Sequence, residues 1–310
     1  MKRLLANCVV TALVLIMSAT ANAATWDVPG DFSTIQEAID SPSVLPGATI
    51  LVGPGNHFGA LVDKEVEIKG EGGAVINDGP PHGHPNIDNQ GFRLLAGSDG
   101  ATISHLDFTV DLAIMNGEAI NDVTVDHCTF TNAVQAVSNW RGSGWQISHN
   151  VITDLRTICG GGIGILIADF SGGVVENNVV SHNKITGTLH VDPDDCGGYS
   201  GTGIVLYADF RWGGAGAKEI KNNRVVKNKV SLVSDNAELV DVVAFELTDT
   251  RDTTADVVFD NAIGFNDFRG TTNQISLTPT ILDEVNAISR NLGNNRGHGL
   301  HPGAFGPGGN

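Results

Sequence analysis

Four triplets with an acid or an amide at the first position recur along the middle of the chain. They are Asn139-Trp140-Arg141, Asp169-Phe170-Ser171, Asp209-Phe210-Arg211 and Asp249-Thr250-Arg251. Carboxylates that stack on one another repel unless a counterion neutralises them, and Ca²⁺ takes carboxylate oxygens as ligands. The pattern predicts a Ca²⁺ site at Asp169, Asp209 and Asp249. The alternative is that arginines neutralise these aspartates directly, as salt-bridged turn residues.

Arginine and tryptophan accompany the same triplets. Arg211, or else Arg251, is the predicted base that removes a proton alpha to a substrate carboxylate, while the cation neutralises that carboxylate. Trp140 and Trp212 would offer flat apolar faces to sugar rings, with Arg141 beside them as a further substrate-binding group. The chemistry that this pattern predicts is β-elimination of a uronic-acid polysaccharide.

A repeat must position these triplets. Five segments carry asparagine at one shared place, followed by short β-branched runs: Ser148-His149-Asn150-Val151-Ile152, Glu176-Asn177-Asn178-Val179-Val180, Lys221-Asn222-Asn223-Arg224-Val225, Phe259-Asp260-Asn261-Ala262-Ile263 and Ser289-Arg290-Asn291-Leu292-Gly293. Such self-similarity predicts a β-solenoid with one inward asparagine column. Leu106 and Cys128 are predicted as earlier, apolar members of that column, so the ladder would begin at Asn150. Three copies add a second asparagine five residues later, at Asn183, Asn228 and Asn266.

The start of the fold has its own pattern. Ser33 and Gln36 have capping-box spacing, and Ile35, Ala38 and Ile39 fall on one helical face, which predicts a short helix. Strand-like runs separated by a Pro-Gly turn follow. This order, together with the asparagine ladder, resembles the pectin-lyase-like right-handed β-helix proteins. The resemblance implies an all-β fold: a single-stranded, right-handed parallel β-helix whose open end is plugged by the N-terminal helix.

The catalytic branches of that superfamily are not matched. The methylesterase segments are missing, and Asp194-Asp195 with Gly297-His298-Gly299 lacks the context of the polygalacturonase motifs. The run from Val123 to His127 resembles a pectate lyase element with threonine in place of tryptophan, but no Arg-x-Pro-x-x-Arg is present. Two functions therefore stay open. One is a carbon-oxygen lyase, and the other is a non-catalytic solenoid that binds glycan or protein.

Residues 1–23 read as a signal peptide, with Lys2 and Arg3 before an apolar core, which predicts a secreted or periplasmic protein. The β-helix is expected over residues 24–297 and a Gly-rich tail over 298–310. Cys159-Gly160-Gly161 and Cys196-Gly197-Gly198 open equivalent repeats, and an exported protein permits the predicted Cys159–Cys196 disulfide. Cys128 is expected to be a buried thiol. No run after the signal segment is long and apolar enough to cross a bilayer.

The balance of 18 basic against 35 acidic residues gives a net charge of −17, so nucleic acid and anionic membranes are unfavourable partners. The same charge would repel a polyuronate unless divalent cations or a local basic patch compensate. His105, His127 and His149 precede the inward column in three repeats. The expected role is an exposed polar row, and the alternative is a transition-metal site.

Overall fold

The protein is a parallel β-solenoid, as seen in a computed structural model that describes residues 24–84, 86–158, 161–192, 201–211, 218–250, 257–278 and 282–293. Each coil contributes one strand to sheet 1, then one to sheet 2 and one to sheet 3, and all of the paired strands run parallel. This stacking confirms the predicted parallel β-helix.

Sheet 1 has ten strands, and sheet 2 has seven. Those of sheet 1 are Thr25–Val28, Ala48–Val52, Val66–Gly70, Thr102–Ser104, Thr124–Asp126, Gln146–Ser148, Val179–Ser181, Arg224–Val226, Ala262–Gly264 and Ala287–Ser289. Those of sheet 2 are Gly55–Phe58, Ala74–Asp78, Asp107–Phe108, Thr129–Ala133, Val151–Arg156, Lys184–His190 and Lys229–Ser234.

Sheet 3 has eight strands, and a small sheet 4 has three. Those of sheet 3 are Ala60–Val62, Gln90–Leu94, Leu112–Asn116, Gln135–Trp140, Ile163–Asp169, Thr202–Ala208, Val243–Asp249 and Asn273–Thr278. Sheet 4 lies between sheets 3 and 1 in the later coils and consists of Val174–Glu176, Glu219–Lys221 and Val258–Phe259. A short second helix, Leu282–Val285, precedes the last strand of sheet 1.

The core consists of stacked aliphatic columns, because parallel in-register strands place like residues above one another. The clearest column runs along sheet 1 and contains Ile50, Ile68, Ile103, Val125, Ile147, Val180, Val225 and Ile263, all essentially inaccessible to solvent. Burying each such side chain contributes about 1.5–3 kcal/mol. The same column thus fixes the register of every coil, since a slip of one residue would expose all of it.

Two asparagine ladders, not one, provide hydrogen-bond partners for the buried polar groups at the corners of the coils. One ladder contains Asn116, Asn139, Asn178, Asn223, Asn261 and Asn286, and the other contains Asn150, Asn183, Asn228, Asn266 and Asn291. In the best-formed rungs each Nδ2 donates to the next Oδ1 at 2.9–3.0 Å. The amide groups therefore find partners along the axis despite full burial.

The predicted single column was wrong at both ends. Asn291 accepts from Asn266 in the second ladder, and Asn286 is the partner of Asn261 in the first. Asn150 bonds to Asn183 rather than stacking on Asn178, because the coil between them is 33 residues long. Its Oδ1 accepts from the backbone nitrogen of Cys128 at 2.9 Å, so Cys128 does precede Asn150 in the column as predicted. Cys128 is a buried free thiol, and burial raises its pKa to about 12.

The N-terminal helix spans Ile35–Asp40, and its buried face is the predicted one: Ile35, Ala38 and Ile39. Its cap differs from the prediction. Thr34 accepts a hydrogen bond from the Glu37 nitrogen, and the Glu37 carboxylate accepts one from the Ser33 nitrogen. Gln36 instead pairs with the edge of sheet 3, where its amide bonds to both the backbone nitrogen (2.7 Å) and the carbonyl (3.3 Å) of Leu61. The helix thereby covers an otherwise unpaired strand edge.

The middle strands of sheet 3 are buried on both faces, and Ile163–Asp169 has no exposed residue. A second apolar cluster lies on its outer face and includes Leu112, Trp140, Leu166 and Val205. Among the described residues, no helix is long and apolar enough to span a membrane.

Candidate functional site

Asp169 is a buried turn residue. Its carboxylate is inaccessible to solvent and accepts hydrogen bonds from the nitrogen and hydroxyl of Ser171, at 3.1 and 2.9 Å, and from the Gly173 nitrogen at 2.9 Å. Arg141 Nε lies 3.9 Å from Asp169 Oδ1. Both carboxylate oxygens thus hold a tight turn, and binding of Ca²⁺ there would have to break it.

Asp209 and Arg211 form an ion pair within one turn. The Asp209 carboxylate is buried and accepts from the backbone nitrogen, Nε and Nη2 of Arg211 at 2.9, 3.1 and 3.0 Å. Burial by itself lowers the pKa of Arg211, but the hydrogen bonds to Asp209 outweigh it and raise that pKa. A guanidinium held in this way keeps its proton, which opposes the predicted role of Arg211 as a base.

The triplets do not stack as the sequence suggested. Ala208 pairs with Asp169 on one side and with Asp249 on the other, so Asp209 lies one residue beyond their column. Trp140 pairs with Ala168 and is fully buried against Phe170 and Tyr207 on the outer face of sheet 3. The exposed sugar platform predicted at Trp140 is therefore absent.

Several predicted residues lie outside the described part of the chain: Arg251, Trp212, Cys159, Cys196, the signal segment 1–23 and the tail 298–310. The disulfide and the second candidate base accordingly stay predictions, as does the Ca²⁺ site.

A row of exposed side chains follows the corner between sheets 1 and 2. We call it the corner row; its members are His105, His127, His149, His182, Lys227, Phe265 and Arg290. Each follows the last residue of a sheet 1 strand, and each has a positive φ between 52° and 60°. The chain must turn sharply there before the next inward residue, which is Leu106, Cys128 or an asparagine, and the turn points each side chain into solvent. The row therefore presents seven side chains of cationic or aromatic type on successive rungs.

The first four members form a stack of imidazole rings. Ring centroids are 5.2 Å apart for His105 and His127, 4.8 Å for His127 and His149, and 5.0 Å for His149 and His182. The stack confirms the exposed row predicted for His105, His127 and His149. The next member is His182 and not Asn177, because Asn177 lies at the corner between sheets 4 and 1.

Asp126 lies beside this stack and binds two of its rings. Its carboxylate is 2.5 Å from Nδ1 of His127 and 3.0 Å from Nδ1 of His149, and it accepts from the Ser148 hydroxyl at 2.7 Å. Partial burial opposes ionisation, but the bonds from Ser148, His127 and His149 outweigh it and lower the pKa of Asp126. An ionised carboxylate thus lies against two imidazoles.

The far end of the row is basic, and we call it the basic end. It comprises six exposed cations on neighbouring rungs around Phe265: Lys184, Arg224, Lys227, Lys229, Arg269 and Arg290. Phe265 is 56% exposed, and the Arg290 guanidinium carbon lies 5.3 Å from its ring centroid. The ring thus offers an apolar surface among positive charges.

A shallow cavity of about 330 Å³ opens at the basic end. It is lined by Lys229, Val230, Ser231, Asp267, Arg269 and Gly270. Asp267 holds Arg269 in place with bonds of 2.9 and 2.8 Å, and these bonds lower the pKa of Asp267 to about 2. The cavity therefore presents an ammonium, a hydroxyl and a guanidinium that is paired with the Asp267 carboxylate beside it. This mixed set suits a small polar group that carries hydroxyls or a negative charge.

The ionisable groups on the outer face of sheet 3 are buried, unlike the exposed side chains of the basic end. Glu246 is fully buried; among the described residues its Oε2 accepts one long bond, from Thr202 at 3.4 Å, and its Oε1 has no hydrogen-bond partner. Burial raises the pKa of Glu246 well above its usual value. Burial and the neighbouring Asp209 raise the pKa of Tyr207 in the same way.

Sequence reasoning missed the basic end, although a signal for it was present. Lys227, Phe265 and Arg290 differ in type, so no shared letter marks them. What they share is their place immediately before an inward asparagine, at Asn228, Asn266 and Asn291. That rule is visible in the sequence once the second ladder is recognised.

Comparison with known proteins gives a family and distant relatives. The chain matches the model of the right-handed β-helix region over residues 86–246, just over half of its length. It is 26% identical over 238 residues to a cell surface glycoprotein of Methanothermus fervidus, covering 72% of this chain and 37% of that protein. The chain thus spans little more than a third of that relative.

Two solved structures share a weak overall likeness. One is the catalytic domain of a GH87 alpha-1,3-glucanase in complex with tetrasaccharides, at 13% identity and a TM-score of 0.35, covering 88% of this chain and 70% of that one. The other is a tailspike protein of Acinetobacter baumannii bacteriophage Fri1, a capsular polysaccharide depolymerase, at 11% identity and a TM-score of 0.33, covering 87% and 61%. Scores this low carry no argument about function. The matched model and the stacked parallel coils together place this chain in the right-handed β-helix family.

Proposed function

We propose that this protein is a cell-surface β-helix that binds an anionic polysaccharide at the basic end of the corner row, without cleaving it. The observation that carries the proposal is the gathering of five exposed cations near the corner between sheets 1 and 2, with Arg224 at the start of the adjoining sheet 1 strand, in a chain whose net charge is −17. The similarity to a cell surface glycoprotein supports the location.

Charge complementarity selects the ligand class. Acidic residues outnumber basic ones about two to one, 35 against 18, so most of the surface repels a polyanion. Lys184 and Lys229 occupy paired positions on adjacent strands, and Lys227 and Arg290 lie on either side of Phe265 in the row. An anionic polymer is therefore attracted to this corner and repelled elsewhere.

The geometry of the corner favours a linear glycan. Successive rungs repeat at about 4.8 Å, so charges along a polymer can meet a cation at several rungs in turn. The Phe265 ring and the aliphatic stems of the lysines can pack against sugar rings. The 330 Å³ cavity can hold one sugar unit beside Lys229 and Arg269.

The described members of the predicted catalytic set already have hydrogen-bond partners, which favours binding without cleavage. Arg211 donates three hydrogen bonds to a buried carboxylate, and Asp169 accepts three within its own turn. β-Elimination of a uronic-acid polymer is the competing function, and it would need these groups to be released.

The test measures binding of pectate, alginate and a glycosaminoglycan, with neutral dextran for comparison, by calorimetry at low and physiological salt. The test variant carries Lys227→Asn and Lys229→Gln, since asparagine tolerates the left-handed backbone at position 227. Its matched control carries Lys69→Gln and Lys218→Gln, two exposed lysines outside the basic end. Both variants change the net charge equally.

We expect the test variant to lose on the order of tenfold in affinity for the anionic polymer that binds best, which is about 1.4 kcal/mol. The control should lose less than about twofold, and added salt should weaken wild-type binding. Equal losses in both variants, or equally tight binding of dextran, would refute the proposal.

A further inference from the structure

We propose that Asp126, His127 and His149 form a binding site for a divalent transition metal ion such as Zn²⁺. The site lies at the histidine end of the corner row, and it is independent of the polysaccharide site. In the part of the chain that the structure describes, each of these three side chains brings one ligand atom to within 4.8 Å of the other two.

The backbone holds these ligands in place before any ion binds. Asp126 and His127 are consecutive at the end of one sheet 1 strand, and His149 follows Ser148 at the same position one coil later. Both histidines have the left-handed backbone, with φ of 52° and 55°. Because this turn is set by the inward columns beneath it, the backbones of the two histidines stay on adjacent rungs.

The side chains already converge on one point. Both Nδ1 atoms face the Asp126 carboxylate, at 2.5 and 3.0 Å. A metal ion would replace the protons shared in these contacts, with bonds of roughly 2.0–2.2 Å to nitrogen and oxygen. The rings are stacked at 15° and about half exposed, so each can rotate outward to direct a lone pair at the ion.

The surroundings favour a cation at this position. The Ser148 hydroxyl bonds to Asp126 Oδ1 at 2.7 Å and would orient the carboxylate as an outer contact of the metal. His105 and His182 stack on either side of the pair and place further imidazoles on adjacent rungs. The net charge of −17 raises the local concentration of cations.

The ligand types decide which ions fit. Two imidazoles and one carboxylate suit Zn²⁺, Ni²⁺, Cu²⁺ or Co²⁺, while Ca²⁺ and Mg²⁺ prefer oxygen ligands alone. Three protein ligands leave at least one coordination position to water.

The experiment titrates Zn²⁺ into the full-length, untagged, chelator-treated protein by calorimetry, and repeats the titration with Co²⁺ followed by visible absorption. The test variant is Asp126→Asn with His127→Asn and His149→Asn. Asparagine accepts the left-handed turn, as Asn177 and Asn222 show at the corner between sheets 4 and 1. The matched control is His190→Asn, which removes an equally exposed histidine bound 3.0 Å from the single carboxylate of Asp235.

We expect wild type to bind one more equivalent of Zn²⁺ than the triple variant, and the single variants His127→Asn and His149→Asn to weaken that equivalent at least tenfold. His190→Asn should bind as wild type does. Thermal unfolding should be unchanged in all variants, which separates loss of ligands from loss of fold.

The proposal is wrong if the triple variant keeps the full stoichiometry, or if His190→Asn loses as much as the His127 and His149 variants. The Lys227→Asn and Lys229→Gln variant must retain Zn²⁺ binding, whatever it does to polysaccharide binding. The two sites can therefore fail separately.

Discussion

Carboxylates occur both at the ends of the sheet 3 strands and beside the corner row, but their surroundings differ. Asp169 and Asp209 are buried, and their hydrogen bonds go to neighbouring amides and a guanidinium within the same turn. Asp126 also accepts three hydrogen bonds, but two of them come from half-exposed imidazoles that face solvent.

This contrast shows that residue type alone does not make a site. Asp209 and Arg211 satisfy each other inside one turn, and the carboxylate is fully buried. Asp267 and Arg269 have the same spacing at the basic end, but the Arg269 side chain is 62% exposed and can still meet a ligand. Side chains at a left-handed corner are less able to pair within their own turn, because the turn directs them away from the backbone. In the part of the chain that the structure describes, the corner row therefore has more exposed charged and aromatic side chains than the predicted triplets do.

The largest difference in stability between the two regions is expected when one carboxylate is removed from each. Asp169→Ala should lower the free energy of unfolding by about 3 kcal/mol, since it leaves buried turn amides without acceptors. Asp126→Ala should lower it by less than about 1 kcal/mol, because water can replace an exposed carboxylate. Urea unfolding followed by far-ultraviolet circular dichroism measures both. Similar losses would mean that Asp126 is structural after all.

A second test concerns the buried acid Glu246. Its pKa in the folded state is raised above the usual 4.5, so the folded protein holds this proton more tightly than the unfolded chain does. The stabilising contribution is complete below pH 4.5 and is lost as the pH rises above it. Glu246→Gln, which cannot ionise, should therefore unfold with a free energy about 1–3 kcal/mol higher than wild type at pH 7.

The same pair of proteins should differ little at pH 4. Unfolding measured across pH 4–8 checks the sign, and a gap between them that narrows with rising pH would contradict the burial of Glu246.

The last prediction is that wild type does not cleave uronic-acid polymers. Wild type incubated with pectate, alginate or a glycosaminoglycan, with Ca²⁺ or with chelator, should release no unsaturated uronate by ultraviolet absorbance. The reason is that Arg211 stays protonated in its ion pair with Asp209. Calcium-dependent product that disappears in Arg211→Ala would restore the lyase hypothesis and overturn the contrast between the two regions.

The sequence was informative about the fold because inward positions accept few residue types. β-Branched runs predicted the strands, the family model confirms the right-handed β-helix, and Ile35, Ala38 and Ile39 face the core as expected. His105, His127 and His149 were also correctly placed on one exposed row. Each of these conclusions depends on local spacing alone.

Apart from the helix cap at Thr34 and the burial of Trp140, the errors came from pairing one coil with the next. Asparagine partners within the ladders are separated by 33, 45, 38 and 25 residues, so coil length is irregular. Asn150 was therefore paired with Asn178 instead of Asn183, and Asp209 was aligned with Asp169 although it lies one residue further on.

By itself the sequence determined that the chain stacks, which residues point inward and that the protein is strongly acidic. Only the tertiary structure decided which coil positions meet, because turns of different length between the strands set the register and local spacing carries no record of it. That register assembles Lys184, Lys227, Lys229 and Arg290 into one basic end, and it brings His149 to the Asp126 carboxylate from a separate coil. Which charged side chains come together to meet a ligand therefore depends on how the coils stack.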